Sequence, residues 1–261
     1  MGRSDPFVTG VLADLARGLR ALDVDFCLIG ALVPEFLLEA SSRRMTNDAD
    51  VTVSVRTLAE FEQVKQGLAS FGFSATRRPY RLTHRDGGWV DLLPYSKALA
   101  PTGHLEMSPG LTFNMAGFDE LEGSAVSVSI APGLTLPAAP LPLYTLLKLV
   151  AYGDRKARKD LGSVLHCLRH YREDDDARYG LEHDGTLVPY EYTGAYLLGL
   201  DGRRFIGSVV GPVRTVLDKF DSPDAAVVGL LAHEDGRVLV EDGHRAEVFE
   251  LFRWFRLAAG V

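Results

Sequence analysis

The sequence predicts an α+β fold in which a mixed β-sheet core with helices precedes a mostly α-helical C-terminal domain. Three observations lead to this prediction. Short apolar and β-branched runs alternate with helical patterns in residues 1–100. Residues 96–142 are rich in proline and glycine and contain short strand-like runs. From residue 143 onward, most apolar residues recur at helical spacing.

The elements of the first half follow from local patterns, since helices show apolar residues three and four apart and buried strands show short apolar runs. In chain order they are a helix over 6–22, a strand over 24–29, a short helix over 32–39, a strand over 49–55 and a helix over 58–71. Two or three strands follow up to Leu93, with a hairpin turn at Gly87-Gly88. Pro94 is expected to end the last of these strands, because proline cannot donate a ladder hydrogen bond.

The second half begins with a predicted hairpin over 126–130 and 134–136 and continues with helices. These helices are expected over 143–152, 156–171, 191–200, 212–220, 223–233 and 245–257, with a break near Gly153-Asp154 between the first two. We therefore expect a core domain over 1–100, a connecting segment with short strands over 101–142 and a helical domain over 143–261. A cleft between two such domains is a common place for ligands.

Composition narrows the class of protein. The chain has 261 residues, of which 46% are hydrophobic, enough for one large core or two modest ones. The net charge of −7 argues against a wholly basic nucleic-acid-binding surface, yet residues 143–172 carry seven basic and two acidic groups. The cysteines Cys27 and Cys167 lie in apolar settings typical of buried thiols. No signal peptide opens the chain and no apolar run could span a bilayer, so we expect a cytoplasmic protein without a membrane partner.

The main chemical signal is a pair of aspartates, Asp48 and Asp50, at the start of a β-branched run. Residues two apart on a strand point to the same face, where two like charges repel. A divalent cation that also holds substrate phosphates is the usual reason for such a pair. Asp91, on a later predicted strand, adds a third carboxylate. The trio predicts two-metal nucleotidyl transfer, with solvated aspartates at a strand end as the alternative.

Two further features of the first half could contact phosphates. The Gly30-Ala31 turn would offer backbone N–H groups at the start of a helix. A group of arginines surrounds the predicted hairpin, at positions Arg77, Arg78, Arg81 and Arg85. This group either follows a nucleic-acid backbone or forms a solvated face of the hairpin.

The basic segment of the second half contains Lys148, Arg155 and Lys159, spaced seven and four residues apart. They would share one helix face if the helix ran through Gly153. Such a face could form a phosphate clamp opposite the carboxylates, or it could be solvated. Asp160 could orient these cations through ion pairs.

Together these residues resemble the nucleotidyltransferase superfamily, and more specifically the AbiEii-type nucleotidyltransferase family of type IV toxin–antitoxin systems. The matching segments, within residues 25–172, are Leu28-Ile29-Gly30-Ala31, Arg44-x-Thr46-x-Asp48-x-Asp50, Val90-Asp91-Leu92-Leu93-Pro94, Met115-Ala116-Gly117-Phe118 and Leu146-Leu147-Lys148-Leu149-x-Ala151-x-x-Asp154-Arg155-x-x-x-Lys159-Asp160-x-x-x-Val164-Leu165. Many members of the superfamily have glycine or serine where this chain has Ala31. Because alanine lacks a hydroxyl, phosphate binding there would use the backbone.

The resemblance implies a nucleotidyltransferase fold and Mg²⁺-dependent transfer of a nucleotide from an NTP to an acceptor hydroxyl. In related toxins the acceptor can be the 3′ end of tRNA, and a cognate antitoxin is a partner. The resemblance implies that Asp48, Asp50 and Asp91 are catalytic metal ligands and that Lys148 is a catalytic residue contacting phosphates. The nucleotide-binding residues that it implies are Gly30, Ala31, Arg44, Thr46, Arg155, Lys159 and Asp160.

Two other functions stay open. Nucleotidylation of a small molecule such as an aminoglycoside, or of a protein, would suit the acidic last third of the chain. A non-catalytic nucleotide-binding interaction module is the third possibility, although such a module could lose an aspartate of the trio freely.

Overall fold

The computed structural model describes residues 6–40, 48–234 and 242–261. The chain divides into two compact units, Met1–Pro140 and Leu141–Val261. The first unit contains a mixed β-sheet with helices, and the second is mostly helical. The predicted fold class is therefore confirmed.

In the described part of the first unit, α-helices and strands alternate up to β3, and the strands β4 to β9 follow without a further α-helix. The elements are α1 (Pro6–Ala21), β1 (Phe26–Leu28), α2 (Leu32–Leu37), β2 (Asp48–Ser54), α3 (Leu58–Leu68), β3 (Phe73–Ala75), β4 (Arg81–His84), β5 (Trp89–Tyr95), β6 (His104–Ser108), β7 (Leu111–Asn114), β8 (Val126–Ala131) and β9 (Leu134–Ala138).

The second unit, in its described residues, is a helical domain with one two-stranded hairpin. Its elements are α4 (Leu141–Arg155), α5 (Arg158–His170), β10 (Glu182–His183), β11 (Thr186–Leu187), α6 (Thr193–Gly202), α7 (Val210–Leu217), α8 (Ala226–Glu234) and α9 (Asp242–Ala259). Helix α4 packs against α5 and α7, and α6 packs against α9. Within the part of the chain that the structure describes, no helix is both long and apolar enough to cross a membrane.

Seven strands of the described residues form one sheet in the order β3-β4-β5-β2-β1-β9-β8. Strand β2 runs parallel to β5, and β1 runs parallel to β9, whereas the other neighbours are antiparallel. The parallel pair β2–β5 brings the starts of two strands to one edge of the sheet. Asp48, Asp50 and Asp91 lie at this edge.

The two faces of the sheet have different surroundings. In β2, Ala49, Val51 and Val53 are buried on one face. Helix α1 contacts β2, and α3 contacts α1 and β3, so these helices pack on that face. Because side chains alternate along a strand, Asp48 and Asp50 lie on the opposite face.

Two predicted boundaries are wrong. Pro94 lies inside β5, where it pairs with Val53. Strand β4 pairs with β5 only as far as Asp91, so the missing N–H of Pro94 removes no hydrogen bond on that side. Helix α4 continues through Gly153 and ends at Arg155, because packing of its apolar residues outweighs the low helix propensity of one glycine.

The segment that we interpreted as a connection contributes to the sheet. The predicted hairpin is formed by β8 and β9, and β9 pairs with β1 across the register Leu28–Ala138. A second hairpin, β6–β7, has no counterpart in the sequence analysis. Residues up to Pro140 therefore belong to the same compact unit as the sheet, while the domain boundaries that we expected stay a prediction.

Candidate functional site

A row of charged side chains crosses three neighbouring strands of the first unit. Asp50 of β2 lies opposite Asp91 of β5, and Asp91 lies opposite Arg81 of β4. Residues directly opposite one another in a sheet share a face. Asp48 lies two residues before Asp50 and faces the same way, opposite Trp89. The structure thus places Asp48, Asp50 and Asp91 together on the face that α1 and α3 leave open.

Arg81 holds the carboxylate of Asp91 at two points. Its Nε donates to Oδ1 at 2.5 Å, and its Nη2 donates to Oδ2 at 2.7 Å. The guanidinium carbon also lies 5.2 Å from the centre of the Trp89 ring. The hydrogen bond to Asp91 raises the pKa of Arg81, and the nearby charges of Asp91 and Asp48 add to this effect. Arg81 therefore fixes the orientation of Asp91 and supplies positive charge beside the carboxylates.

Gly30 leaves room for the side chain of Asp50. The Ile29 N–H donates to the backbone oxygen of Asp50 at 2.9 Å, which brings the turn after β1 against β2. A Cβ on Gly30 would lie 2.5 Å from the Asp50 Cβ and would overlap its carboxylate. Glycine at this turn is therefore a condition for Asp50 to occupy its position.

The remaining predicted nucleotide-binding residues of the first unit are less informative. Ala31 precedes the six-residue helix α2 with φ −60°, and the Val33 N–H donates to the Gly30 oxygen at 3.0 Å. Arg44 and Thr46 lie outside the described residues.

In the second unit, Lys148 and Arg155 converge on the buried carboxylate of Asp160. Arg155 donates to it through Nε at 2.8 Å and through Nη2 at 2.5 Å. The Lys148 Nζ lies 3.6 Å from Oδ1, and the side chain of Asp160 is only 1% exposed. Since α4 continues through Gly153, Lys148 and Arg155 share one helix, whereas Lys159 lies on α5.

Exposed cationic side chains surround the junction of α4 and α5. We call this group the α4–α5 cationic patch, formed by Arg155, Lys156, Arg158, Lys159 and Lys219. The Nζ atoms of Lys156 and Lys219 lie 5.8 and 5.7 Å from the centre of the Tyr152 ring. Burial lowers the pKa of Lys219, and the neighbouring charge of Lys156 lowers it further. Sequence reasoning missed Lys219, because α7 reaches this junction only through tertiary packing.

The other face of the sheet carries a different charged group. Asp14, His84 and Asp86 offer ligand atoms within 4.8 Å of one another, a spacing at which they could hold a metal ion. The His84 Nε2 lies 3.1 Å from the Asp14 Oδ2, and the His84 Nδ1 lies 3.8 Å from the Asp86 Oδ2. His84 is 1% exposed, whereas Asp86 is 70% exposed. Sequence reasoning missed this group, since Asp14 and His84 are 70 residues apart.

The surroundings of Asp14 favour an ion-pair network over a metal site. Arg17 donates to Oδ1, and Arg85 donates to Oδ2 at 3.2 Å, so cations already neutralise this carboxylate. Asp14 and Asp86 also approach different ring nitrogens of His84, although a metal ion would bind through one of them. The network connects α1 to the turn between β4 and β5.

Two of the four arginines around that turn, Arg81 and Arg85, lie on opposite faces of the sheet and do not form one cationic surface, while nucleic-acid binding by Arg77 and Arg78 stays a prediction. Arg81 binds Asp91 on the open face, while Arg85 binds Asp14 on the helix-covered face. Residues that sit on opposite faces of the same sheet cannot follow one nucleic-acid backbone together.

Comparison with known proteins gives little further information. No protein-family model matches the chain, and no curated protein matches it significantly. The chain is similar in structure to an antigenic nucleotidyltransferase-like protein from Paracoccidioides brasiliensis, with 18% sequence identity and a TM-score of 0.44. The matched region covers 62% of this chain and 75% of that one. Any assignment of function therefore depends on the geometry described above.

Proposed function

We propose that this chain is a metal-dependent nucleotidyltransferase that moves a nucleotide from an NTP to an acceptor hydroxyl. One observation supports this proposal above all: Asp50 and Asp91 lie directly opposite each other on parallel strands, with Asp48 on the same face. Carboxylates gathered on the sheet face opposite α1 and α3 are suited to divalent cations and not to a hydrophobic core.

The residues of this face fit a divalent cation such as Mg²⁺. Their carboxylate oxygens are the hard ligands that this ion prefers. Gly30 leaves the space next to Asp50 that a Cβ would fill. Asp48, Asp50 and Asp91 would hold the metal, which when bound would neutralise substrate phosphates and favour loss of the proton from the attacking hydroxyl.

The protein itself would orient the reactants. Arg81 uses both oxygens of Asp91, but a carboxylate has about four lone-pair sites, so Asp91 could still accept a proton from the acceptor hydroxyl. The turn at Gly30-Ala31 would contact phosphate through its backbone. For the second unit, the proposal includes phosphate contacts by Lys148 and Arg155, which Asp160 orders.

For the acceptor we propose RNA, the 3′ end of tRNA, in a toxin-like enzyme. The α4–α5 cationic patch supports this choice, because clustered lysine and arginine side chains bind a phosphate backbone independently of sequence. The resemblance of residues 25–172 to AbiEii-type enzymes points to tRNA and to an antitoxin as a cellular partner.

The proposal is tested by incubating the chain and Mg²⁺ with each α-³²P-labelled NTP and total tRNA. We expect label on tRNA with at least one NTP. Asp48→Asn should reduce the rate by at least about 100-fold, as expected when an electrostatic group of an active site is removed. The matched control is Asp86→Asn, which removes one carboxylate from the opposite face and should stay within about twofold of wild type.

Each other outcome has a defined meaning. Label on an aminoglycoside or on a protein, but not on RNA, would change the acceptor class and keep the transfer chemistry. A rate that is unchanged in Asp48→Asn, with the variant folded by circular dichroism, would contradict the catalytic role of the carboxylates.

A further inference from the structure

A cavity of about 530 Å³ lies within the first unit and plays no part in the proposed transfer. We call it the Tyr95 cavity. Its walls come from the start of β1, the ends of β2 and β5, the 3₁₀ helix Phe118–Leu121 and the turn that follows it. Its volume lies within the range of about 300–1,000 Å³ that is typical of small-molecule sites.

The cavity shares the open face of the sheet with the carboxylate row but lies further along β2. Thr52, which lines it, follows Asp50 by two residues and therefore points the same way, roughly 7 Å along the strand. The Thr52 hydroxyl donates to the Leu93 oxygen at 3.0 Å. The floor of the cavity is thus a fixed part of the sheet, and none of the residues that line it belongs to the carboxylate row.

The charges that line the cavity are mainly negative. Its lining includes Asp25, Asp119 and Glu122, against Lys97. Burial is the main cause that raises the pKa of Tyr95 to about 12, and the negative charges of Asp119 and Glu122 contribute to the same increase. A negative potential of this kind attracts cations and repels phosphates and carboxylates.

The uncharged part of the lining indicates an organic ligand rather than a bare metal ion. Phe118 and Tyr95 form an aromatic wall, with ring centres 5.7 Å apart at an angle of 50°. Leu121, Ala125 and Pro137 add apolar surface. Aromatic faces attract organic cations, and apolar surface binds the hydrocarbon part of a ligand.

We propose that the Tyr95 cavity binds a small organic amine, with its ammonium group near Asp119 and Glu122 and its apolar body against Tyr95 and Phe118. The site would be a ligand site in addition to the nucleotidyltransferase site. Its occupation requires neither a metal ion nor an NTP, so the proposal can fail or hold independently of the proposed transfer.

The test uses three probes of nearly equal size that differ in charge: phenethylamine, 2-phenylethanol and phenylacetate. Near pH 7 these are cationic, neutral and anionic. Each is titrated into the full ¹⁵N-labelled chain, without metal or NTP, and amide NMR shifts are followed. We expect shifts clustered around Tyr95 and Phe118. Phenethylamine should bind about 10- to 100-fold more tightly than the alcohol, as expected for a charge-assisted hydrogen bond.

Two variants distinguish the contribution of Asp119 and Glu122 to amine binding from the effect of the overall charge of the chain. The double variant Asp119→Asn/Glu122→Gln should remove most of the preference for the amine. Glu106→Gln, which neutralises an exposed carboxylate on β6 outside the lining, should keep that preference within about twofold. If the double variant is poorly folded by circular dichroism, Ala125→Trp provides a second test, because it fills the cavity and leaves every charge in place.

The proposal is overturned if the amine binds no more tightly than the alcohol, or if its shifts map elsewhere on the chain. It is also overturned if phenethylamine binds the folded double variant and the Ala125→Trp variant as tightly as it binds the wild type.

Discussion

The two faces of the sheet in the first unit both carry clustered aspartates, but the side chains around these aspartates differ. On the open face, Asp48, Asp50 and Asp91 share their surroundings with Arg81. On the helix-covered face, Asp14 contacts the side chains of Arg17, His84 and Arg85. The first set gathers three carboxylates, whereas the second surrounds one buried carboxylate with two arginines and a histidine.

This difference shows that proximity of potential ligands does not by itself define a metal site. The Asp14 network satisfies its buried carboxylate with protein cations, so a metal ion would gain little there. On the open face three carboxylates lie side by side, and a divalent cation would relieve the repulsion among them. We therefore expect metal binding on the open face and a structural role for the Asp14 network.

The largest expected effect concerns metal affinity. Asp50→Asn should weaken Mn²⁺ binding by about 100-fold or more, because it removes a charged ligand next to Asp48 and Asp91. Asp86→Asn should leave the affinity within about twofold. Electron paramagnetic resonance of free Mn²⁺ measures both dissociation constants. If Asp86→Asn weakened binding more than Asp50→Asn, the metal site would lie on the helix-covered face.

A second effect concerns stability. Asp14→Asn should lower the free energy of unfolding by about 1–3 kcal/mol, because it removes the negative charge and replaces one of the two acceptor oxygens that Arg17, His84 and Arg85 contact with an NH₂ donor. Asp48→Asn should change that free energy by no more than about 0.5 kcal/mol, since it removes one of several repelling charges. Urea unfolding followed by circular dichroism gives both values. If both variants lost the same free energy of unfolding, Asp48 would contribute to stability as much as Asp14 does.

The smallest effect concerns Arg81, which competes with a cation for Asp91. Arg81→Gln should increase the affinity for Mn²⁺ about two- to fivefold, the range expected when a partly exposed ion pair is removed. The same Mn²⁺ titration measures this change. A weaker affinity in the variant would instead show that orientation of Asp91 by Arg81 matters more than the competition.

Much of the open face could be predicted from the sequence because its geometry is local. The two-residue repeat of a strand is enough to place Asp48 and Asp50 on the same side. The short distance along the chain between β4 and β5 also made a hairpin there predictable, and the structure places Asp91 within it.

The features that could not be predicted from the sequence depend on contacts between residues that are far apart in the chain. The bonds of Arg81 to Asp91 and of Arg85 to Asp14 need the register of β4, because a shift of one residue would exchange the two faces. Lys219 joins the α4–α5 cationic patch only after α7 packs against α4. The course of α4 through Gly153 likewise reflects packing that local propensity does not describe.

The pairing of β1 with β9 affects how the first unit can fold. Strand β1 pairs with β2 on one side, but its other neighbour, β9, begins more than a hundred residues later in the chain. During synthesis, strands β1 to β5 can associate before β9 has been made, and one edge of β1 then stays unpaired. Contacts between such distant segments form slowly. Strand β9, the last of the unit, therefore covers the edge of β1, the first. In a chain that ended before residue 134, β1 would be an exposed and aggregation-prone edge strand.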